Sequence, residues 1–159
     1  MRATFGFLFV GAMLGAACNS APPPPPFKPV ADTKLLMDSV LDPNADIVWG
    51  SVGSVMTKDG DQELKPKNAE EWAAIRNAAV VVAESGNLLL MAPRVKGPQY
   101  GVDWIVLARN MTDKAEEAMR AADAKDSARL FAVGADLYET CVACHSHYMD
   151  AILQVRTPQ

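Results

Sequence analysis

The spacing of apolar residues limits the possible folds of this 159-residue chain more than any other feature. From Val30 onward, apolar positions recur every three or four residues, and no stretch shows the period of two that is typical of a β-strand. Turn-forming residues divide the pattern into four stretches of roughly 20 residues, joined by short loops. Helices connected in this way typically form an antiparallel bundle. The sequence therefore predicts an all-α fold, an antiparallel four-helix bundle.

Each predicted helix has a recognisable boundary or interruption. The first covers Ala31–Val55, and Pro43 is expected to kink or break it because proline lacks the amide hydrogen. A capping box that starts at Asn68 opens the second helix, while Asp103 and Asp126 are expected to cap the third and fourth. Each helix has a predicted core stripe. The stripes are, in the first helix, Leu35, Leu36, Val40, Ile47, Val48 and Val52; in the second, Trp72, Ile75, Ala79, Val82 and Leu89; in the third, Trp104, Leu107, Ala108, Met111, Ala115, Ala118 and Ala122; and in the fourth, Leu130, Val133, Leu137, Cys141, Cys144, His145, Tyr148 and Ile152.

The first 17 residues have the character of a signal peptide. Arg2 is followed by an uncharged, mostly apolar stretch that is shorter than the span of about 20 residues that crosses a bilayer. Small residues then precede Cys18, which resembles a bacterial lipoprotein signal whose cysteine becomes lipidated. The alternative is an ordinary secretory signal with an incidental cysteine. Both interpretations predict an exported, periplasmic protein, and the first adds a membrane anchor at Cys18.

Residues 18–30 form a predicted linker before the domain of residues 31–159. Pro22–Pro26 are five consecutive prolines, which adopt the extended polyproline II conformation. After a lipid anchor, such a segment is a stiff spacer that holds the domain away from the membrane. The lipid is then the only expected contact with a membrane.

Composition and charge exclude several classes of protein. Three cysteines and two histidines are too few for a disulfide-dense scaffold or a zinc site built from several cysteine pairs. The net charge of −4 becomes −5 once residues 1–17 are removed, because they contain one basic and no acidic residue. Without a basic stripe, nucleic-acid binding is not expected. Neither a nucleophile–base pair nor a glycine-rich phosphate loop is present, so the chain is not expected to be an enzyme.

The most informative motif is Cys141-Val142-Ala143-Cys144-His145, a CxxCH sequence. This sequence is typical of covalent c-type haem attachment. Two thiols three residues apart lie on neighbouring helical positions, where both can add to the vinyl groups of one porphyrin. The histidine that follows can then ligate the iron. The motif therefore predicts one covalently bound haem c, attached at Cys141 and Cys144, with His145 as an iron ligand.

Three other interpretations of the motif compete with haem attachment. A thioredoxin-like pair lies where a strand meets a helix, whereas this motif lies late in a predicted helix. A zinc site would need both His145 and His147, which point to different sides of a helix because they are two residues apart. A disulfide between the cysteines is compatible with export but leaves His145 without a role. A non-haem exported bundle with that disulfide stays as an alternative.

A haem motif on the last of four predicted helices resembles the cytochrome c′ family. The resemblance covers roughly residues 30–150, is most specific from Val133-Gly134-Ala135 through His145 and Tyr148, and extends to Pro43 in the first helix. It implies a haem near one end of the bundle with His145 as the proximal ligand, and homodimers are common in the family. Tyr148 is expected to pack beside the porphyrin. In many members a basic residue follows this aromatic position, whereas this chain has Met149.

The residue on the other side of the iron decides the function that the resemblance implies. Relatives in which a methionine from the first helix ligates the iron are six-coordinate electron carriers, which exchange electrons with a redox partner. Relatives in which an apolar side chain blocks this side are five-coordinate and bind NO or CO. Met37 is the candidate sixth ligand, and Leu35 or Leu36 is the candidate blocking residue. Electron transfer is the favoured interpretation; the redox partner is not identified.

Overall fold

A computed structural model describes residues 27–92, 94 and 101–154 of the chain. The predicted signal peptide, the predicted lipidation site Cys18 and the proline run Pro22–Pro26 lie outside the described residues. The same is true of the side chain of Ile152, which was assigned to the fourth core stripe.

The described part of the chain is mostly helical. The first helix is continuous and contains three segments, α1, a π-helical turn and α2; a β-hairpin and three longer helices follow. The elements are α1 (Thr33–Leu36), the π turn (Met37–Leu41), α2 (Asp42–Trp49), β1 (Gly53–Thr57), β2 (Gly60–Leu64), α3 (Ala69–Leu89), α4 (Gly101–Asp123) and α5 (Ser127–Gln154). The helical character predicted from the apolar spacing is therefore confirmed, with one exception.

The exception is the hairpin, where the sequence predicted a helix as far as Val55 and no strand. The two strands are antiparallel, with Gly53 opposite Leu64 and Thr57 opposite Gly60. Gly53 and Gly60 begin the two strands, and their φ angles of 137° and 114° favour glycine. Most residues of both strands are exposed. Without a buried face, the strands lack the alternating pattern that would have predicted them.

The first helix departs from α-helical geometry at the π turn, directly before Asp42 and Pro43. The amide of Asp42 donates to the carbonyl oxygen of Met37, five residues back instead of four. Pro43 has no amide hydrogen to donate to the carbonyl of Ser39. The side-chain amide of Asn44 donates to the carbonyl of Val40 over 2.7 Å. The helix therefore continues through the proline with one extra residue in its widened turn.

Two of the three predicted caps are confirmed. Asn68 Oδ1 accepts from the amide of Glu71 over 2.8 Å at the start of α3. Asp126 Oδ1 accepts from the amide of Arg129 over 2.9 Å at the start of α5. Asp103 is not a cap, because α4 already begins at Gly101 and Asp103 lies in its first turn.

The core lies where these helices pack against one another in pairs. α3 packs against α4, α4 packs against α5, and α2 contacts both α3 and α5. The indole nitrogen of Trp49 donates to the carbonyl of Gly134 over 3.0 Å and ties α2 to α5. The largest fully buried side chains include Leu130, Leu137, Val48 and Val82. Leu35 and Ile47, which were assigned to the core stripe, are about half exposed.

The contact between α3 and α4 depends on Gly86. A Cβ atom at this position would overlap Thr112 Oγ1 and lie 3.0 Å from the carbonyl oxygen of Ala108. The Thr112 hydroxyl lies 3.2 Å from the carbonyl of Ala83, within hydrogen-bonding distance, so it cannot retreat without losing that contact. Gly86 therefore allows the two helices to approach closely.

Gly86→Ala is expected to lower the free energy of unfolding by about 1–3 kcal/mol, the usual cost of overpacking a core. The sign is informative because Gly→Ala inside a helix otherwise stabilises by about 1 kcal/mol. Gly134→Ala is the matched control, since its Cβ would lie 3.6 Å from Trp49 Cδ1, an ordinary contact. Urea unfolding of both variants checks the prediction, and a Gly86→Ala chain as stable as wild type would contradict it.

Candidate functional site

The CxxCH motif lies in the second half of α5, far from the capped start of that helix. Cys141 and Cys144 are half-buried, and His145 is exposed. All three line one cavity of about 360 Å³. This volume falls within the range of about 300–1,000 Å³ that is typical of small-molecule and cofactor sites.

The cavity lies between the first helix, α3, α4 and α5, and most of its wall is apolar. Its lining residues are Met37, Leu41, Asp42, Ala45, Trp49, Val82, Leu89, Trp104, Leu107, Ala108, Met111, Tyr138, Thr140, Cys141, Val142, Cys144, His145 and Ser146. A flat aromatic cofactor with apolar faces is suited to such a wall. The chemistry of the donor set is also suitable for haem, because two thiols and an imidazole face the same space.

Met37 lines this cavity, whereas Leu35 and Leu36 do not. Met37 is half-buried. The side chain of Leu35 is 51% exposed, and that of Leu36 is only 3% exposed because it packs in the core. Of the three residues proposed from the sequence for the side of the cofactor opposite His145, the structure therefore brings only Met37 to the motif.

The two tyrosines that flank the motif have different surroundings. Tyr148 is buried and packs edge-on against Trp104, with 5.1 Å between the ring centroids. Trp104 lines the cavity, so Tyr148 supports its wall from behind instead of lining it. Tyr138 lines the cavity and packs edge-on against Trp49 at 5.6 Å.

Both cysteine thiols are surrounded by an environment that disfavours the thiolate. Burial raises the pKa of Cys144 to about 11, and the neighbouring Cys141 adds to the shift. Burial also raises the pKa of Cys141; the Asp42 carboxylate contributes in the same direction, while a hydrogen bond with Thr140 opposes it. Both thiols are therefore protonated at neutral pH. A thiol–disulfide exchange site requires the opposite, a cysteine with a lowered pKa.

The second histidine does not belong to the cavity. His147 is exposed, and its Nε2 lies 3.9 Å from a carboxylate oxygen of Asp103. Within residues 27–92, 94 and 101–154, no three His, Cys, Asp or Glu side chains form a group that could hold a metal ion. A haem iron makes a smaller demand on the chain, because the porphyrin nitrogens supply four of its ligands and the protein one or two.

Several cavity residues were not identified from the sequence. Leu41, Ala45 and Trp49 continue the line of Met37 along the first helix at intervals of four residues. That spacing was the available signal for a shared face. Met111 was assigned to the core of the third helix, where it is buried, but it also lines the cavity.

Comparison of the chain with family models, with curated proteins and with solved structures found no match. In the part of the chain that the structure describes, no helix is both long and apolar enough to cross a membrane.

Proposed function

We propose that this protein is a monohaem c-type cytochrome of the cytochrome c′ type, an antiparallel four-helix bundle that transfers electrons. The observation that supports the proposal best is the meeting of Cys141, Cys144 and His145 with Met37 in one apolar cavity. The motif and the methionine come from different helices that are about 100 residues apart in the sequence. Packing of a hydrophobic core does not by itself require these residues to meet at one cavity of cofactor size.

Each residue has a defined role in this proposal. Cys141 and Cys144 hold the haem through thioether bonds, His145 ligates the iron, and Met37 is the sixth ligand. When bound, the haem supplies reversible one-electron chemistry at its iron, and methionine–histidine ligation raises its reduction potential. The protein contributes an environment of low polarity, because Trp49, Trp104 and most of the other residues in the cavity wall are apolar.

The chain is proposed not to be an enzyme, and the thiols support this interpretation. A thioredoxin-like pair lies at the start of a helix, where the dipole favours the thiolate. Here the pair lies in the second half of α5, and burial raises the pKa of both thiols. A structural disulfide between the cysteines is the remaining non-haem alternative.

A second candidate function follows from Leu41. This side chain is almost fully buried and lines the cavity one turn after Met37. If Leu41 instead of Met37 covers the iron, the haem is five-coordinate and binds a small gas such as NO or CO. Leu41 would then take the blocking role that the sequence suggested for Leu35 or Leu36.

Two measurements on the purified, exported chain test these functions. A chain that keeps the mass of one haem after denaturation carries it covalently. A low-spin ferrous spectrum that CO does not alter supports the electron carrier, whereas a high-spin spectrum that CO shifts at once supports the gas-binding alternative. A chain without covalent haem whose mass is two hydrogens below that of the free dithiol would contradict both haem functions.

We also propose that the protein is exported to the periplasm and anchored there through a lipid on Cys18, and that it can form homodimers. The lipoprotein-like residues before Cys18 and the proline run after it support the anchor. Cys18→Ser is expected to move the protein from the membrane fraction to the soluble periplasmic fraction. The anchor would be refuted by a Cys18→Ser chain that stays with the membrane.

A further inference from the structure

The π turn of the first helix contains Met37 and lies upstream of most of the cavity wall on that helix. π turns are rare, and they often occur where a protein must present a particular side chain at a functional site. This turn comprises Met37–Leu41 and ends just before Asp42 and Pro43. Because the turn contains one extra residue, the residues upstream of it are rotated about the helix axis relative to the cavity.

The direction of the change can be read from the residues that line the cavity. Leu41, Asp42, Ala45 and Trp49 line the cavity and span a sector of about 100° around the helix axis. In an uninterrupted helix, Asp38 would lie inside this sector, whereas Met37, one turn before Leu41, would lie about 40° beyond its edge. The structure instead has Met37 at the cavity, while Asp38 is exposed and paired with Lys34. The π turn therefore replaces a carboxylate with a thioether at this place.

The upstream end of the helix makes contacts of its own in the observed register. Asp32 Oδ1 accepts from the amide of Leu35 over 2.8 Å and caps the first turn. Arg94, itself buried, donates to the carbonyl of Ala31 over 3.2 Å. Leu36 is packed in the core. With these contacts and those of α2, the two ends of the helix lie in registers that differ by one residue, and the π turn accommodates the difference. Loss of the π turn would exchange the upstream contacts for the missing α-helical hydrogen bonds.

We propose that Pro43 is a positioning residue that keeps the π turn open and thereby presents Met37, instead of Asp38, to the haem cavity. Pro43 has no amide hydrogen to donate to the carbonyl of Ser39. A regular α-helix through residues 39–43 would therefore lack this hydrogen bond. The effect on iron coordination rests on the proposed haem function. The rotation of the helix does not, because it is a property of the chain itself.

Labelling of a cysteine at position 38 tests the rotation without reference to haem. The full chain with Asp38→Cys is treated with a maleimide, and modification is quantified by mass spectrometry on the peptide that contains residue 38. With Pro43 present, Cys at position 38 is exposed and reacts fast. In Pro43→Ala, the upstream residues turn by about 100°, one helical position, and residue 38 moves into the half-buried place of Met37. Labelling is expected to slow several-fold, whereas simple loosening of the helix would make it faster.

Deletion of Ser39 in the Pro43→Ala chain is the matched control. Ser39 is exposed, and its removal takes away the one extra residue, so a regular helix can satisfy both registers. We expect the deletion to restore fast labelling at position 38. In the haem-loaded protein, Pro43→Ala is expected to change the CO-insensitive ferrous spectrum into one that CO shifts, and the deletion is expected to reverse that change.

The outcomes separate this proposal from the proposed function. Labelling at position 38 that is unchanged or faster in Pro43→Ala overturns the positioning role, whether or not haem is attached. Slower labelling in a chain without covalent haem supports the rotation and contradicts the haem function alone. Slower labelling with an unchanged spectrum overturns the link between Pro43 and Met37. If the Pro43→Ala chain does not fold, the variant that also lacks Ser39 is the test. The proposal requires that this variant folds and has the wild-type spectrum.

Discussion

A chain in which both Cys141 and Cys144 are replaced by Ala is expected to lose all covalently bound haem and keep its helical structure. The two thiols are the only described cysteines, so the variant has no thioether donor at the cavity. Both side chains are half-buried, and the fully buried Leu130 and Leu137 of the same helix are unchanged. The mass of the denatured protein and its far-UV circular dichroism measure the two properties separately.

The control for this prediction is His147→Ala. His147 lies beside Asp103 and does not line the cavity, so its replacement is expected to leave both the haem mass and the spectrum unchanged. Single replacement of Cys141 or Cys144 is expected to leave one thioether bond and one unreacted vinyl group on the haem. Covalent haem on the double variant would show that the cysteines are not the attachment sites.

Replacing Met37 with Leu is the second change with a large expected effect. If Met37 is the sixth ligand, the ferrous iron changes from low spin to high spin, and CO shifts a spectrum that it did not alter before. The reduction potential falls, because a methionine ligand is lost. The substitution conserves volume, so it should cost less than about 1.5 kcal/mol of stability. Optical titration with CO and a redox titration check the two effects.

Met111→Leu is the matched control, because Met111 lines the same cavity from α4. It is expected to leave the spectrum and the potential unchanged. If Met111→Leu alone makes the iron accessible to CO, the sixth ligand comes from α4 and the assignment to Met37 is wrong. A wild-type protein that binds CO readily would favour the five-coordinate alternative, with Leu41 as the covering side chain.

The helices could be predicted because their apolar stripes and their ends are local features. Trp72, Ile75, Ala79, Val82 and Leu89 were assigned to one face of the second helix, and all five are buried. The caps at its start and at the start of α5 use side chains that bond to an amide three residues away. Such contacts depend only on the nearby sequence, so the sequence contains enough information to predict them.

The hairpin and the register of the first helix could not be predicted in the same way. The strands between Gly53 and Leu64 pair with each other and are largely exposed. Because neither face of the hairpin is buried, the sequence lacks the alternation of apolar and polar residues that would predict a strand. Leu35, Leu36 and Met37 differ in sequence by one position each, which is about 100° on a helix. The π turn before Pro43 shifts the positions of these three residues around the helix axis by one residue. Apolar periodicity alone does not indicate such a shift.

The sequence by itself determined the helical character of the protein and the pairing of two thiols with a histidine on one helix. It could do so because helical periodicity and the CxxCH spacing both act within a few residues. The tertiary structure decided which side chain of the first helix shares a cavity with that motif, and it brought Met37 there in place of Leu35 or Leu36. That choice depends on how two distant helices pack and on one extra residue in a π turn. The packing depends on contacts far apart in the chain, and apolar periodicity gives no sign of the extra residue.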